Sequence, residues 1–282
     1  MPTIDTLLER INDLPTLPAV AIELTAMLDE PETRIKDVEA IVKQDLSLSA
    51  KILKLVNSAF YCLPTEVQSI SHAINILGFN SVKSMVLSTF VFDFFSAGSS
   101  RFDLAALWMH SMSCGVAAEQ AASIAGRKGD FFVFGLLHDL GRLLLRQLSP
   151  AQFEEAVKIS REDRISLTAA EKQVFGISHM EAGMRLAERW RFSPELTECL
   201  SRHHLPMDSP IDKRDLVSLI HVADVVSLSL ALGDSNENRI ELLSQEALDL
   251  LGFDQAKLGR IMDMTLDNLK SCGPMFSLLG LA

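Results

Sequence analysis

The sequence predicts an all-α protein of many helices, and three observations carry that reading. Apolar residues recur at spacings of three and four in one segment after another along the 282-residue chain. Pro and Gly mostly fall between those periodic stretches. No run alternates apolar and polar residues between turn signals, as a half-buried strand would.

Taken in order, Val20 to Leu28, Ile35 to Val42 and Leu46 to Val56 show the helical period, with Thr33 as N-cap after the Pro31 break. Asn57 reads as the terminus of the third stretch, and His72 as a residue of the next helix start. A longer apolar helix follows Gly78-Phe79-Asn80 through Val82, Met85, Val86, Phe90 and Phe94. Phe90, Phe92, Phe94 and Phe95 are either core residues or an apolar docking patch for a partner. Ser96-Ala97-Gly98-Ser99-Ser100 offers no large side chain to anchor it and predicts a linker. It divides an N-terminal subdomain, residues 1–97, from a C-terminal one, residues 98–282, which holds six of the seven histidines.

Past the linker, Leu104 to Ile124 reads as a long helix carrying Trp108 and His110, and residues 131–148 as one helix holding His138-Asp139. Ser149-Pro150-Ala151-Gln152 and Ser193-Pro194-Glu195 open helices, and Thr168-Ala169-Ala170-Glu171 has the pattern of a capping box. The helix from Ser193 runs into His203-His204 and stops by Pro206. Leu216 to Leu232 carries His221 and Asp224 three apart, on one face, and Asp254 caps a final helix to about Lys270.

Composition excludes several function classes. A net charge of −11 with no local basic run argues against nucleic-acid binding, which depends on Lys and Arg neutralising phosphates. No apolar stretch is long enough for a membrane span, and the N-terminus has no basic region of a secretory signal, so a cytoplasmic address is expected. Cys62, Cys114, Cys199 and Cys272 are scattered, which fits buried thiols better than a disulfide frame or a thiolate-ligated zinc.

The polar residues that interrupt apolar helical faces are His110, His138, Asp139, His179, His203, His204, His221 and Asp224. Imidazoles with one or two carboxylates form a donor set suited to zinc, iron, manganese or nickel. Each lone histidine also has a plain structural reading, as a core residue donating to a backbone carbonyl. The aspartate of Leu136-Leu137-His138-Asp139-Leu140 is harder to place in that way, because a buried carboxylate needs a partner.

Phe134-Gly135-Leu136-Leu137-His138-Asp139-Leu140-Gly141 resembles the signature of the HD superfamily of metal-dependent phosphohydrolases, and the whole chain resembles the HDOD family of bacterial signalling proteins. The resemblance runs from Leu14 to Asp224. It is carried by Leu14-Pro15-Thr16-Leu17-Pro18, by Asp45, by Leu53 to Phe60, by Leu107-Trp108-Met109-His110-Ser111 and by Glu171 with Phe175-Gly176. Trp190, His203-His204 and Ala223-Asp224 complete it. Leu46 departs from it, since the family usually has Pro after the Asp. An HD-like fold is implied, with an N-terminal helical subdomain packed on a C-terminal HD-type one.

The resemblance also orders the cluster. In the related HD-GYP cyclic-dinucleotide phosphodiesterases the ligands run His, His-Asp, His, His-His, Asp along the chain. By that analogy His110, His138, Asp139 and Asp224 hold one metal and His179, His203 and His204 a second, with Asp139 bridging. Arg142 stands where the active enzymes commonly have Lys, which makes it a candidate phosphate contact but a poor proton donor. The GYP segment is absent after His204, where Leu205-Pro206-Met207-Asp208-Ser209 stands, and no Glu follows the histidine pair. HDOD proteins are generally regarded as non-catalytic. The expectation is therefore a non-catalytic signal-transduction module that contacts a signalling protein and retains a divalent Fe, Mn, Zn or Ni. The alternative is a metal-dependent phosphohydrolase of a nucleotide or cyclic dinucleotide.

Overall fold

The computed structural model describes residues 20, 23–24, 27, 32–43, 45–57, 65–96, 101–129, 131–231 and 242–271. The Leu14–Pro18 opening, most of the 96–100 linker, Cys62 and Cys272 lie outside the described residues. Within them the protein is all-α, as its periodicity predicts. The helices are α1 (Ile35–Val42), α2 (Leu46–Val56), α3 (Ile70–Ser96), α4 (Arg101–Ile124), α5 (Phe131–Leu137), α6 (Leu140–Leu148), α7 (Pro150–Asp163), α8 (Leu167–Phe175), α9 (His179–Arg189), α10 (Pro194–Arg202), α11 (Arg214–Ser229), α12 (Gln245–Leu251) and α13 (Gln255–Ser271). They form two compact units: one takes in Phe102–Thr265, the other Leu17–Arg101 with the stretch from Leu266 onward.

In the N-terminal unit, α1 buries Val38, Ile41 and Val42, a three-and-four pattern that faces Leu48, Ile52 and Val56 of α2 and Ile70, Ala73, Ile74 and Val82 of α3. The N-cap of α1 is Arg34, one residue later than expected, because the Thr33 hydroxyl bonds back to the Met27 carbonyl instead of capping the helix. Asp45 caps α2 by accepting from the Leu48 N–H at 3.0 Å. Leu46 is then the first helical residue, where a missing Pro costs little because that N–H has no intrahelical partner. The long helix α3 breaks at Gly78 (φ 85°), just where the apolar run Val82–Phe95 begins. Phe95 is buried and Phe90 packs on the core, so two of the four phenylalanines are core residues; the Phe92 side chain lies outside the described residues.

Asn57 does more than end α2. Its amide donates to Leu53 O at 2.9 Å and to Val67 O at 2.8 Å, while its oxygen accepts from Val67 N–H at 2.6 Å. One side chain thus supplies both backbone partners of the buried residue Val67. Asn57→Ala leaves those groups unpaired, and the expected loss is about 1–3 kcal/mol of stability, read from the urea midpoint of the full chain.

In the C-terminal unit, α4 is lined with small residues. Ala117, Ala118, Ala121 and Ala122 of α4 share one core with Val217, Leu219, Ile220, Val222 and Ala223 of α11, with Cys199 of α10 alongside. Cys114 and Cys199 are buried free thiols, as the scattered spacing predicts. Ser193 caps α10 and Asp254 leads into α13, both as expected.

Candidate metal centre

Residues 131–148 are not one helix. α5 ends at Leu137, His138 and Asp139 form a turn, and α6 starts at Leu140. Asp139 has φ −95° and ψ 17°, outside the helical region, and the His138 Nδ1–H donates back to Gly135 O at 2.6 Å. The break matters physically. Neighbouring residues on a continuous helix point about 100° apart, whereas the turn lets both side chains reach the same interior point. Two glycines allow the helices to close around that turn. A Cβ on Gly141 would lie 1.8 Å from the His179 carbonyl oxygen of α9, and one on Gly135 2.6 Å from the Cys114 carbonyl oxygen of α4.

The candidate residues converge on that turn. His110 comes from α4, His138 and Asp139 from the turn, His179 from the first position of α9, His203 and His204 from the end of α10, and Asp224 from α11. All these side chains are buried, His204 being the most exposed at 4%. Asp139 uses its two oxygens on opposite sides. Oδ2 lies 3.4 Å from His138 Nε2 and 3.7 Å from His110 Nε2; Oδ1 lies 3.6 Å from both His179 Nε2 and His203 Nε2. On the first side, Asp224 Oδ1 is 3.1 Å from His110 Nε2 and 3.6 Å from His138 Nε2. On the second, His179 Nε2 is 3.3 Å from His203 Nε2 and 3.2 Å from His204 Nε2.

These separations suit cations. Nitrogen and oxygen donors bound tetrahedrally at about 2.0–2.2 Å stand roughly 3.3 Å from one another. Two donor groups emerge, Asp139–His179–His203–His204 and His110–His138–Asp139, sharing the Asp139 carboxylate. His110 Nε2, His138 Nε2, Asp139 Oδ1 and Asp224 Oδ1 are buried without a hydrogen-bond partner. Such atoms are costly to bury unless something satisfies them, so the donor set fits a divalent metal.

A second layer orients the rings. The His203 Nδ1–H donates to Cys199 O at 3.0 Å, which turns its Nε2 inward, as the Gly135 bond does for His138. His221 is structural: Ser244 N–H donates to its Nε2 at 3.1 Å, so its own proton is on Nδ1, which donates to His203 O at 2.9 Å. It therefore holds the backbone of a candidate ligand without joining the set.

Glu171 belongs to the same layer and corrects the capping-box expectation. Ser166, not Thr168, caps α8 by accepting from Ala169 N–H, and Glu171 is fully buried inside the helix. Its Oε2 accepts the His179 N–H at 2.8 Å and stands 2.6 Å from His179 Nδ1. The capping box that does form is Ser178 with Glu181, at the start of α9, and it fixes where His179 begins its helix.

The electrostatics are those of a closed charge cluster. Burial works against the Asp139 anion, yet Arg142 and His138 hold it well below its ordinary value of 3.8; His110 and His138 do the same for Asp224. Arg142 is itself buried and its guanidinium donates to Asp139 Oδ2 at 2.7 Å. His138 is held well above 6.5 although burial opposes it, through Cys114 and Asp139. Burial pushes Glu171 up to about 8 and His179 well down, so at most one of that pair is ionised near neutral pH.

The all-α fold and the buried His/Asp cluster place the chain among HD-type helical proteins. It belongs to the HDOD family: the HDOD domain profile matches residues 14–206. An HDOD protein of unknown function from Geobacter sulfurreducens is 25% identical and superposes with a TM-score of 0.73, over 93% of this chain and 88% of that one. A candidate phosphohydrolase from Shewanella amazonensis is 24% identical, with a TM-score of 0.75 over 97% of each chain. An uncharacterised protein of Treponema pallidum is 25% identical over 226 residues; the match takes in 77% of this chain but only 42% of that relative. Among the described residues, no helix is long and apolar enough to cross a membrane.

A pH dependence follows from the two depressed carboxylates. Both are ionised in the folded state at a pH where solvated carboxylates take up protons, so their contribution is present above about pH 4 and is lost as pH falls below it. Urea midpoints of metal-free protein should fall steeply below about pH 4, and Asp224→Asn should flatten that slope.

Proposed function

We propose that this HDOD protein is a non-catalytic signalling module that holds a divalent transition metal in its C-terminal unit and acts through contacts with another protein. One observation carries the reading: the Asp139 carboxylate that both donor groups share is already ion-paired to the buried Arg142, inside a cluster whose side chains are at most 4% exposed. A hydrolytic metal site keeps a coordination position open to water and substrate. Here the space beside the shared carboxylate is filled by a guanidinium that stays charged and cannot give up a proton.

The chain's own residues divide the work. His110, His138, Asp139 and Asp224, with His179, His203 and His204, are the candidate ligands. Glu171, His221 and the carbonyls of Gly135 and Cys199 hold the rings in place. When bound, the metal supplies a positive charge that ties the α5–α6 turn to α4, α9, α10 and α11. Iron, manganese, zinc and nickel all match the nitrogen and oxygen donors.

The alternative, a phosphohydrolase of nucleotides or cyclic dinucleotides, keeps the same ligands and is separated by activity. Protein purified without chelators should contain a transition metal that His138→Ala and Asp139→Ala both lose. The metal-loaded protein should leave phosphodiesters and nucleotides intact. Turnover that disappears with either substitution would establish the hydrolase instead.

Glu171→Gln keeps the shape of the second layer but weakens the acceptor that aligns His179. Metal affinity should fall about 10- to 100-fold, measured by competition with a chromogenic chelator, with the helical circular dichroism unchanged.

A further inference from the structure

We propose that His221 is a positioning residue that makes cation occupancy of the donor set govern the order of α12, a helix that carries no candidate ligand. The inference rests on the metal-holding reading above and assigns that site a regulated element.

Two helix ends meet at His221. His203 closes α10 as its C-cap, so its carbonyl has no partner left within that helix. Ser244 opens α12 as its N-cap, so its N–H has none either. One buried imidazole serves both: the His221 Nδ1–H donates to His203 O at 2.9 Å, and its Nε2 accepts the Ser244 N–H at 3.1 Å. The ring is rigid, so its two nitrogens cannot adjust independently. A shift of the His203 carbonyl turns the ring and draws the acceptor away from Ser244.

His203 is also where a cation acts on the backbone of α10. Its Nε2 stands 3.3 Å from His179 Nε2 and 3.6 Å from Asp139 Oδ1, while its Nδ1–H donates to Cys199 O at 3.0 Å. A cation held by that Nε2 anchors the ring to α9 and to the α5–α6 turn. Without one, the facing imidazole nitrogens of His179, His203 and His204 lack a common partner, and the end of α10 is less constrained.

At the far end, α12 is the element able to respond. It spans seven residues, too few to hold a helix without tertiary support. Ala247, Leu248 and Leu251 attach it to the core, and the Ser244 hydroxyl accepts from Ala247 N–H as its cap. Breaking the Ser244–His221 bond releases the residue that caps it, and short elements with few buried contacts are the ones that open locally. Leu242 and Leu250, before and within α12, are exposed, so the relay runs from the buried donors to the protein surface.

Zinc alone is the probe, and amide hydrogen exchange of the full chain is the readout. Saturating Zn²⁺ should slow exchange over residues 245–251 of the wild type by about tenfold, an ordinary coupling between two sites. Ser244 has φ −65°, the value proline imposes, so Ser244→Pro removes the N–H and leaves that dihedral in place. It should abolish the response of α12. Because coupling is reciprocal, it should also weaken zinc binding by about the same factor in chelator competition, although Ser244 is not a donor. Ser244→Ala loses the hydroxyl cap but keeps the N–H, and should keep both the response and the affinity. A zinc-loaded wild type whose α12 exchanges as fast as that of the zinc-free protein overturns the relay alone. So does an undiminished response in Ser244→Pro, or a lost one in Ser244→Ala. A chain that takes up no zinc overturns the metal-holding reading and the relay with it. Should either variant fail to fold by circular dichroism, the wild-type exchange still decides.

Discussion

The carboxylate of Asp139 is the constraint around which the C-terminal unit is arranged. Taking an ionised carboxylate out of water costs several kcal/mol even after relaxation, and this one is 1% exposed. No apolar neighbour can offset that cost, so each helix that reaches Asp139 brings a polar group to it. α4 brings His110, α6 brings Arg142, α9 brings His179, the end of α10 brings His203, and α11 brings Asp224 to the adjoining imidazoles. The helices converge there because the apolar faces of α4 and α11 pack together, and the charge decides which residues stand at the meeting point.

Precision at that point comes from backbone rather than from the donors themselves. α6 and α9 approach so closely that any side chain at Gly141 would overlap the His179 carbonyl. The Ser178–Glu181 box fixes the first turn of α9, and Glu171 from α8 takes both the backbone and the ring nitrogen of His179. His221 grips the His203 carbonyl and is gripped in turn by Ser244. His138, His179 and His203 are therefore each positioned by a neighbour outside the donor set, the arrangement that keeps ring tautomers and distances fixed.

The sequence reveals the helices readily and the centre only in part, for reasons that lie in particular residues. α1, α9 and α10 are amphipathic, so their period is visible. From Phe131 to Leu145 every residue but Phe134 is buried, so no polar face exists whose phase could show the break at His138-Asp139. Thr168-x-x-Glu171 satisfies a local capping pattern, and only the tertiary position of His179 shows that the glutamate serves elsewhere. Ser178-x-x-Glu181 carries the same pattern, with the Ser directly before the helix that His179 starts, and is equally readable. The donors themselves are 20 to 40 positions apart, beyond any local rule; chain-long resemblance groups them, and the fold brings them within 4 Å.

If the donor set holds a cation as proposed, its closure from water bears on what the module can do. A catalytic cation gains nothing from helices that hold it away from water, but a structural cation gains everything. Its binding energy is added to the folded state in which α4, the α5–α6 turn, α9, α10 and α11 are together, and to no other state. The Arg142–Asp139 pair strengthens this bias, since separating the two leaves a buried charge uncompensated on each side. Loss of the cation would then act on the arrangement of these helices as a whole rather than on any one of them. On the reading proposed above, a surface formed by them would sense metal occupancy without touching the metal, the form of coupling that a signalling module without catalysis requires.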